Sequence, residues 1–235
     1  MELLTGIRRL LYPDVCAWCQ TPLDGAGDDF CSSCLRSITS DTHHTCPRCS
    51  SSVAENALLE KGCPKCENRT YHFLQARRLG PYEGPLRDVI LAMKRREMLG
   101  EAVGRLWASR DQARLKDWGV NLVIPVPLHW WRKWRRGFNQ SELLAFALAG
   151  SLGIECRPNW VRRIRPTPIQ TSVAVSQRQA NVRGAFRLSR RSQLAGRKVL
   201  LVDDVLTTGS TASEIARTLK AAGASSVHVA ILAHN

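Results

Sequence analysis

The sequence predicts an α/β fold, a parallel sheet flanked by helices, preceded by a small cysteine-rich module. Three observations carry that expectation. Eight of the nine cysteines fall in four Cys-x-x-Cys pairs before residue 70. From about Tyr71 onward, short apolar runs alternate with stretches whose apolar residues recur at helical spacing. One of those runs, Val199-Leu200-Leu201-Val202, leads into Asp203-Asp204 and a hydroxyl- and glycine-bearing turn before the next helix. A chain of 235 residues has room for one sizeable domain plus such a module. It holds no apolar run of about 18 residues and no secretory pattern, so no membrane span is expected and the expected location is the cytoplasm.

Charge divides the chain at the same place. Residues 1–70 hold 7 Lys and Arg against 9 Asp and Glu, while the remainder holds 27 against 11. The basic surplus belongs to residues 71–235 and suits phosphorylated ligands or a nucleic-acid backbone.

The pairs Cys16/Cys19, Cys31/Cys34, Cys46/Cys49 and Cys63/Cys66 each offer two thiolates to one tetrahedral ion, which in a reducing compartment means zinc knuckles rather than disulfides. The first two pairs and the last two are near copies, so the simplest scheme is two sequential four-cysteine sites holding about two Zn²⁺. A cross-braced scheme, first pair with third and second with fourth, has the same spacings. Full cysteine ligation leaves no open position, so the expected role is structural. Turn residues such as Pro22, Gly25, Gly27, Pro47, Gly62 and Pro64 separate the knuckles, and apolar groups are few, so this module needs metal to fold. Two Zn²⁺ with eight thiolates add about −4, and docking on the basic part follows. His43 and His44 are minor candidate ligands, and Cys156 reads as a small buried residue. Met1 to Leu11 reads as a short amphipathic helix.

Gln75 to Tyr82 is a strand candidate. Pro85 then opens a helix on which Leu86, Val89, Ile90 and Met93 share a face, with Lys94, Arg95 and Arg96 at its negative pole. A helix from Glu101 to about Leu115 turns Val103, Leu106 and Trp107 inward, and Leu122 to Val126 is a buried strand. His129-Trp130-Trp131-Arg132-Lys133-Trp134-Arg135-Arg136-Gly137-Phe138-Asn139 follows as a cationic loop. It suits a polyanion, suits stacking on single-stranded nucleic acid, and suits Trp packed under solvated Arg. Asn139 with Glu142 caps a helix Gln140 to Leu152, and Gly153 ends it. Trp160 to Ile164 is a short strand candidate, and the basic stretch 157–191, with Arg162, Arg163, Arg165, Thr167, Gln170, Arg178, Asn181 and Arg183, has the composition of a cover over an anion or of an exposed loop. The last helix buries Ala212, Ile215, Ala216 and Leu219, and Val227 to Leu232 is the final strand.

Val199 to Thr211 carries the chemistry. Ligands of open α/β sheets sit beyond the carboxyl ends of strands, and a helix start there attracts phosphate. Adjacent carboxylates would repel a bare phosphate, so a sugar phosphate fits best, its hydroxyls on the acids and its phosphate in the turn. The stretch resembles the phosphoribosyl-pyrophosphate (PRPP) loop of type I phosphoribosyltransferases. Together with the knuckles, Pro125-Val126-Pro127-Leu128, Arg136-Gly137-Phe138-Asn139-Gln140 and the Thr167/Gln170/Arg178/Asn181/Phe186 run, it makes nearly the whole chain resemble the ComF family of competence-associated proteins. That resemblance implies a type I phosphoribosyltransferase fold over 71–235 behind a double zinc ribbon over 1–70. It implies Asp203 and Asp204 as the catalytic acids on the ribose hydroxyls, and Val205, Leu206, Thr207, Thr208, Gly209, Ser210 and Thr211 around the 5′-phosphate. It further implies Mg²⁺ with PRPP, and Lys94, Arg132, Arg135 and Arg136 on pyrophosphate. Two readings follow: transfer of phosphoribose to an acceptor the sequence does not name, or non-catalytic, PRPP-responsive binding of single-stranded DNA in the DNA-uptake machinery.

Overall fold

The computed structural model describes residues 14–23, 27–55, 57, 62–67, 69–165, 181–190 and 192–235. The expected helix at Met1 to Leu11 and residues Thr167, Gln170 and Arg178 lie outside the described residues. In order, the elements are α1 (Ser32–Thr39), β1 (His44–Thr45), β2 (Ser52–Val53), α2 (Pro64–Glu67), β3 (Ala76–Pro81), α3 (Gly84–Met93), α4 (Glu97–Lys116), β4 (Leu122–Pro125), α5 (Trp130–Arg136), α6 (Gln140–Leu152), β5 (Glu155–Cys156), β6 (Val161–Arg163), β7 (Phe186–Leu188), β8 (Lys198–Leu206), α7 (Ser210–Ala221) and β9 (Ser226–His234).

Five strands form one sheet in the order β3-β9-β8-β4-β5, parallel at every pairing. The chain leaves β4 toward β5 and leaves β8 toward β9, so the strand order reverses between β4 and β8. That reversal opens a crevice at their carboxyl ends, the place where ligands of such sheets bind. Parallel strands are covered on both faces, which explains their continuous apolar runs. Along β8, Leu200 and Val202 join a layer with Val89, Ile90, Val103, Leu144 and Leu148 of α3, α4 and α6. Val199 and Leu201 point the other way, toward Ile215, Ala216 and Leu219 of α7. Each fully buried aliphatic side chain of this kind contributes about 1.5–3 kcal/mol.

Close helix packing sets where the site residues stand. A Cβ on Gly104 would meet the Ala147 Cβ at 2.9 Å and one on Gly100 the Leu143 Cδ1 at 2.8 Å, so glycine lets α4 lie tightly on α6. The amino end of α6 is thereby held beside β8. There the Asn139 side chain accepts from the Ser141 N–H at 3.2 Å and donates to the Val126 carbonyl at 3.1 Å, capping the helix and tying it to the β4 end.

Several expectations need correction. α4 begins at Glu97, one turn earlier than Glu101, because Arg96 is extended and Leu99 and Gly100 are buried. Residues Trp130–Arg136 form the short helix α5 rather than a loop. β8 runs through both acids to Leu206, since Asp203 and Val205 still pair with Ile231 and Ala233 of β9. Cys156 sits only half-buried on the edge strand β5.

The cysteine-bearing part packs on both layers instead of standing apart. Cys16, Phe30, Cys34 and Ile38 join the layer of α3, α4 and α6, whereas Cys46, Cys49, Cys63 and Cys66 join the opposite one. Arg105 holds Asp29 through two bonds of 2.7 and 2.8 Å, and the buried Arg78 of β3 donates to Asp41 and Ser52. Pairing is what makes a buried guanidinium tolerable.

Candidate active site and zinc centres

The structure decides the knuckle pairing. Cys16, Cys19, Cys31 and Cys34 gather their sulfurs in one cluster and Cys46, Cys49, Cys63 and Cys66 in another, each within 4.8 Å, so the sequential scheme holds and the cross-braced one does not. Neither His43 nor His44 belongs to a cluster. Sulfur separations are 3.7 Å for Cys19 and Cys31, 3.5 Å for Cys49 and Cys63, and 3.8 Å for Cys46 and Cys66. A tetrahedral ion with Zn–S near 2.3 Å has edges of about 3.8 Å, so both sets fit zinc. Burial pushes the Cys66 thiol up, and its three cysteine neighbours push it further; a divalent cation removes that conflict. Metal analysis is expected to give about two zinc ions per chain and about one in the Cys66→Ser variant, and a wild type holding none would contradict the geometry.

The second site lies at the carboxyl edge. Asp203 Oδ1 accepts from the Ser141 hydroxyl at 3.0 Å and from the Asp204 N–H at 2.9 Å. Asp204 accepts from the Val205 N–H at 2.8 Å and from Gln140 Nε2 at 2.9 Å, and Lys94 Nζ stands 3.5 Å from Asp204 Oδ2. Asp203 keeps some exposed surface, yet desolvation of its carboxyl, followed by the Asp204 charge, pushes its pKa up to about 8. The bonds from Ser141 and the Asp204 N–H oppose that shift without cancelling it.

Beyond β8 comes a short turn rich in hydroxyl groups. Thr208 and Ser210 are buried and their hydroxyls lie 2.9 Å apart. Gly209 takes a left-handed φ of 73° as the N-cap of α7 and has no side chain to cap it, while the Thr208 hydroxyl accepts from the Ser210 N–H at 3.4 Å, so the positive end of a 12-residue helix begins at this turn.

Lys94, at the end of α3, lines one cleft of about 830 Å³ with Arg95 and with Arg132, Arg135 and Arg136 of α5. The four expected pyrophosphate residues are thus brought together. Burial, then neighbouring Arg132, draw the Arg136 pKa down while Asp204 opposes, so this cation faces both the acids and its own kind. Arg136 also donates to the Gln140 side chain. Lys133, by contrast, is engaged with Glu142 at 2.8 Å.

Three contributors were missed in the sequence as site residues. Gln140 and Ser141 hold the acids, and Arg163 of β6 is drawn below the usual arginine range by burial and then Arg132, with Asp203 opposing. Gln140 and Ser141 carry one signal, their position just after the Asn139 cap. In the sequence Arg163 is only one of eight residues of a candidate cover over an anion, with nothing to set it apart from the other arginines there. Packing of Trp beneath Arg is overturned: Trp130, Trp131 and Trp134 are 67%, 47% and 72% exposed. Their rings form a ladder, Trp130 edge-on to Trp131 at 5.8 Å and Trp131 stacked on Trp134 at 5.1 Å.

Among the described residues no helix is long and apolar enough to cross a membrane. Two family models match the chain, a double zinc ribbon domain over residues 7–67 and a phosphoribosyl transferase domain over residues 144–235. The DNA utilization protein YhgH of Salmonella typhimurium is 33% identical over 225 residues, covering 94% of this chain and 96% of that protein. YhgH of Escherichia coli K12 is 34% identical over the same share. Competence protein F of Haemophilus influenzae is 32% identical over 227 residues, covering 91% of this chain and 94% of that protein. A solved purine phosphoribosyltransferase from Pyrococcus horikoshii shares 17% identity at a TM-score of 0.35, covering 63% of this chain and 71% of that one. The chain therefore belongs to the ComF family, the proteins with a double zinc ribbon and a phosphoribosyltransferase domain that include YhgH and Competence protein F.

Proposed function

We propose that the carboxyl edge of residues 71–235 binds PRPP with Mg²⁺ and transfers its phosphoribosyl group to an acceptor with release of pyrophosphate, while residues 1–70 form a double zinc-ribbon module packed against that domain. One juxtaposition carries this reading: two adjacent acids, a helix start behind a glycine N-cap and four clustered cations meet at one strand-order reversal. Asp203 and Asp204 would take the ribose hydroxyls, and the backbone of Thr207 to Thr211 the 5′-phosphate. Lys94, Arg132, Arg135 and Arg136 would take the pyrophosphate. The donor set fits Mg²⁺, because two carboxylates supply hard oxygens beside a polyanion. That ion, when bound, neutralises charge on the pyrophosphate oxygens. As the bond from ribose C1 to pyrophosphate breaks, negative charge grows on the leaving oxygens, where the arginines stabilise it. Positive charge grows on the sugar, beside the acids. The new bond forms from the acceptor to C1, and the acceptor's proton goes to solvent. The names of YhgH and Competence protein F support a setting in DNA uptake or nucleotide use.

The exposed Trp ladder favours a second reading, PRPP-responsive binding of single-stranded DNA without turnover. Bases stack on aromatic rings and phosphates meet the neighbouring cations. Incubation with PRPP, Mg²⁺ and a panel of bases and oligonucleotides, followed by measurement of released pyrophosphate, separates the two. Acceptor-dependent release is the expected result; PRPP binding with no release across the panel would reject the transferase reading in favour of the second.

A further inference from the structure

The phosphate turn touches the second four-cysteine site through residues that no role in the chemistry yet uses. Thr208 O accepts two bonds from the segment that follows Cys66, one from Arg69 Nη1 and one from the Tyr71 hydroxyl, each 3.3 Å long. The Arg69 N–H is bonded to the Cys66 carbonyl at 3.2 Å, so the guanidinium hangs directly from the knuckle. The Tyr71 ring stacks on Phe73 at 4.7 Å, and Arg48, which lies between Cys46 and Cys49, stands 5.9 Å over it. Gly209 lies so close to that ring that a Cβ would fall 2.6 Å from Tyr71 Cε1. Below the turn, Ser213 Oγ accepts from the His72 N–H at 3.0 Å, fastening the same segment to α7.

The consequence is one of peptide orientation. No peptide bond among the described residues is cis. In a trans peptide the C=O and the following N–H point in opposite directions. Holding Thr208 O on the knuckle side therefore turns the Gly209 N–H away from the module, and that N–H is one of the donors a phosphate in the turn needs. A turn with a left-handed glycine is otherwise free to flip this peptide, because glycine adopts either sign of φ without a side-chain penalty.

We propose that Arg69 and Tyr71 are positioning residues of the phosphate turn, and that the Cys46/Cys49/Cys63/Cys66 site acts as their anchor, so that loading of this site governs how well the turn takes a sugar phosphate. The proposal rests on reading the turn as a phosphate site, and the test keeps the two apart. Calorimetry would measure ribose 5-phosphate, which addresses the turn, and inorganic pyrophosphate, which addresses the Lys94/Arg132/Arg135/Arg136 cleft. The Arg69→Gln/Tyr71→Phe variant keeps the aromatic ring and loses both bonds to Thr208 O. It is expected to bind ribose 5-phosphate about tenfold more weakly, to bind pyrophosphate as the wild type does, and to retain both zinc ions. Cys66→Ser should weaken ribose 5-phosphate likewise, whereas Cys19→Ser, which unloads the other site, should not. Amide exchange at Gly209 should quicken in the Arg69→Gln/Tyr71→Phe variant. Equal ribose 5-phosphate affinity in the wild type and that variant would overturn the positioning role while leaving the site reading intact. Equal loss of both probes would overturn it too, as a general structural effect. A wild type that does not bind ribose 5-phosphate at all would overturn the site reading and the proposal with it.

Discussion

Replacing both acids, Asp203→Asn with Asp204→Asn, is expected to abolish PRPP binding in the presence of Mg²⁺, with a loss of at least about 100-fold by calorimetry. Hydrogen bonds to charged groups contribute about 1.5–3 kcal/mol each, and the double variant forfeits them on both ribose hydroxyls together with the hard oxygen donors for the metal. Asparagine keeps the size, and its amide oxygen can still accept from Ser141 and from the backbone N–H groups that now hold the acids. The fold should therefore survive. Affinity should also depend on pH. The Asp203 pKa is raised to about 8, so in the ligand-free protein this acid is protonated below that value. A ligand that needs the carboxylate must then displace a proton. Affinity should rise by up to tenfold per pH unit as pH climbs toward 8 and level off above it. The raised pKa also means that the neutral acid suits the folded protein. This contribution to stability is complete below the unfolded pKa of about 4 and is lost as pH rises through about 8. Asp203→Asn alone should flatten both dependences. Unchanged PRPP affinity in the double variant would remove the acids from the site.

The second large effect is expected from α5. Converting Arg132, Arg135 and Arg136 to Ala should weaken pyrophosphate and PRPP by about 100-fold or more, since charge-assisted contacts in a shared cleft are the strong ones. On single strands each cation lost should flatten the plot of log affinity against log salt by about 0.7, so up to about 2 for the three. Converting Trp130, Trp131 and Trp134 to Ala makes the complementary test. Stacking contributes about 1–3 kcal/mol per base, so strand affinity should fall steeply while pyrophosphate affinity stays put. If the Trp variant bound oligonucleotides as the wild type does, the exposed ladder would have no part in strand binding. If the Arg variant kept its pyrophosphate affinity, the cleft would not be the leaving-group site.

Some of this was legible from local chemistry. Two thiolates with two residues between them reach one ion whatever follows them. A strand, two acids, a hydroxyl- and glycine-bearing turn and a helix start follow one another within about a dozen residues, all of it specified by neighbours in the chain. The α3 stripe and the Asn139 cap were readable for the same reason. The state of residues 130–136 was not, because three Trp among four cations carry no burial signal. Only packing shows that the rings face outward on a helix.

What the amino-acid order determined by itself was the parallel sheet, the cysteine chemistry and the β8–turn–α7 unit, because each is specified by short-range periodicity or by ligands close in the chain. Tertiary structure decided the rest. It chose sequential knuckle pairing over cross-bracing, which spacing leaves equal, by packing the two sulfur clusters on opposite layers of the sheet. It carried Lys94 to the Asp204 carboxylate and set Gln140 and Ser141 as holders of the acids, through an α4–α6 contact that depends on two glycines. It also brought Arg69 and Tyr71 onto the Thr208 carbonyl. Contacts between residues far apart in the chain follow from how layers stack, and no local pattern encodes them.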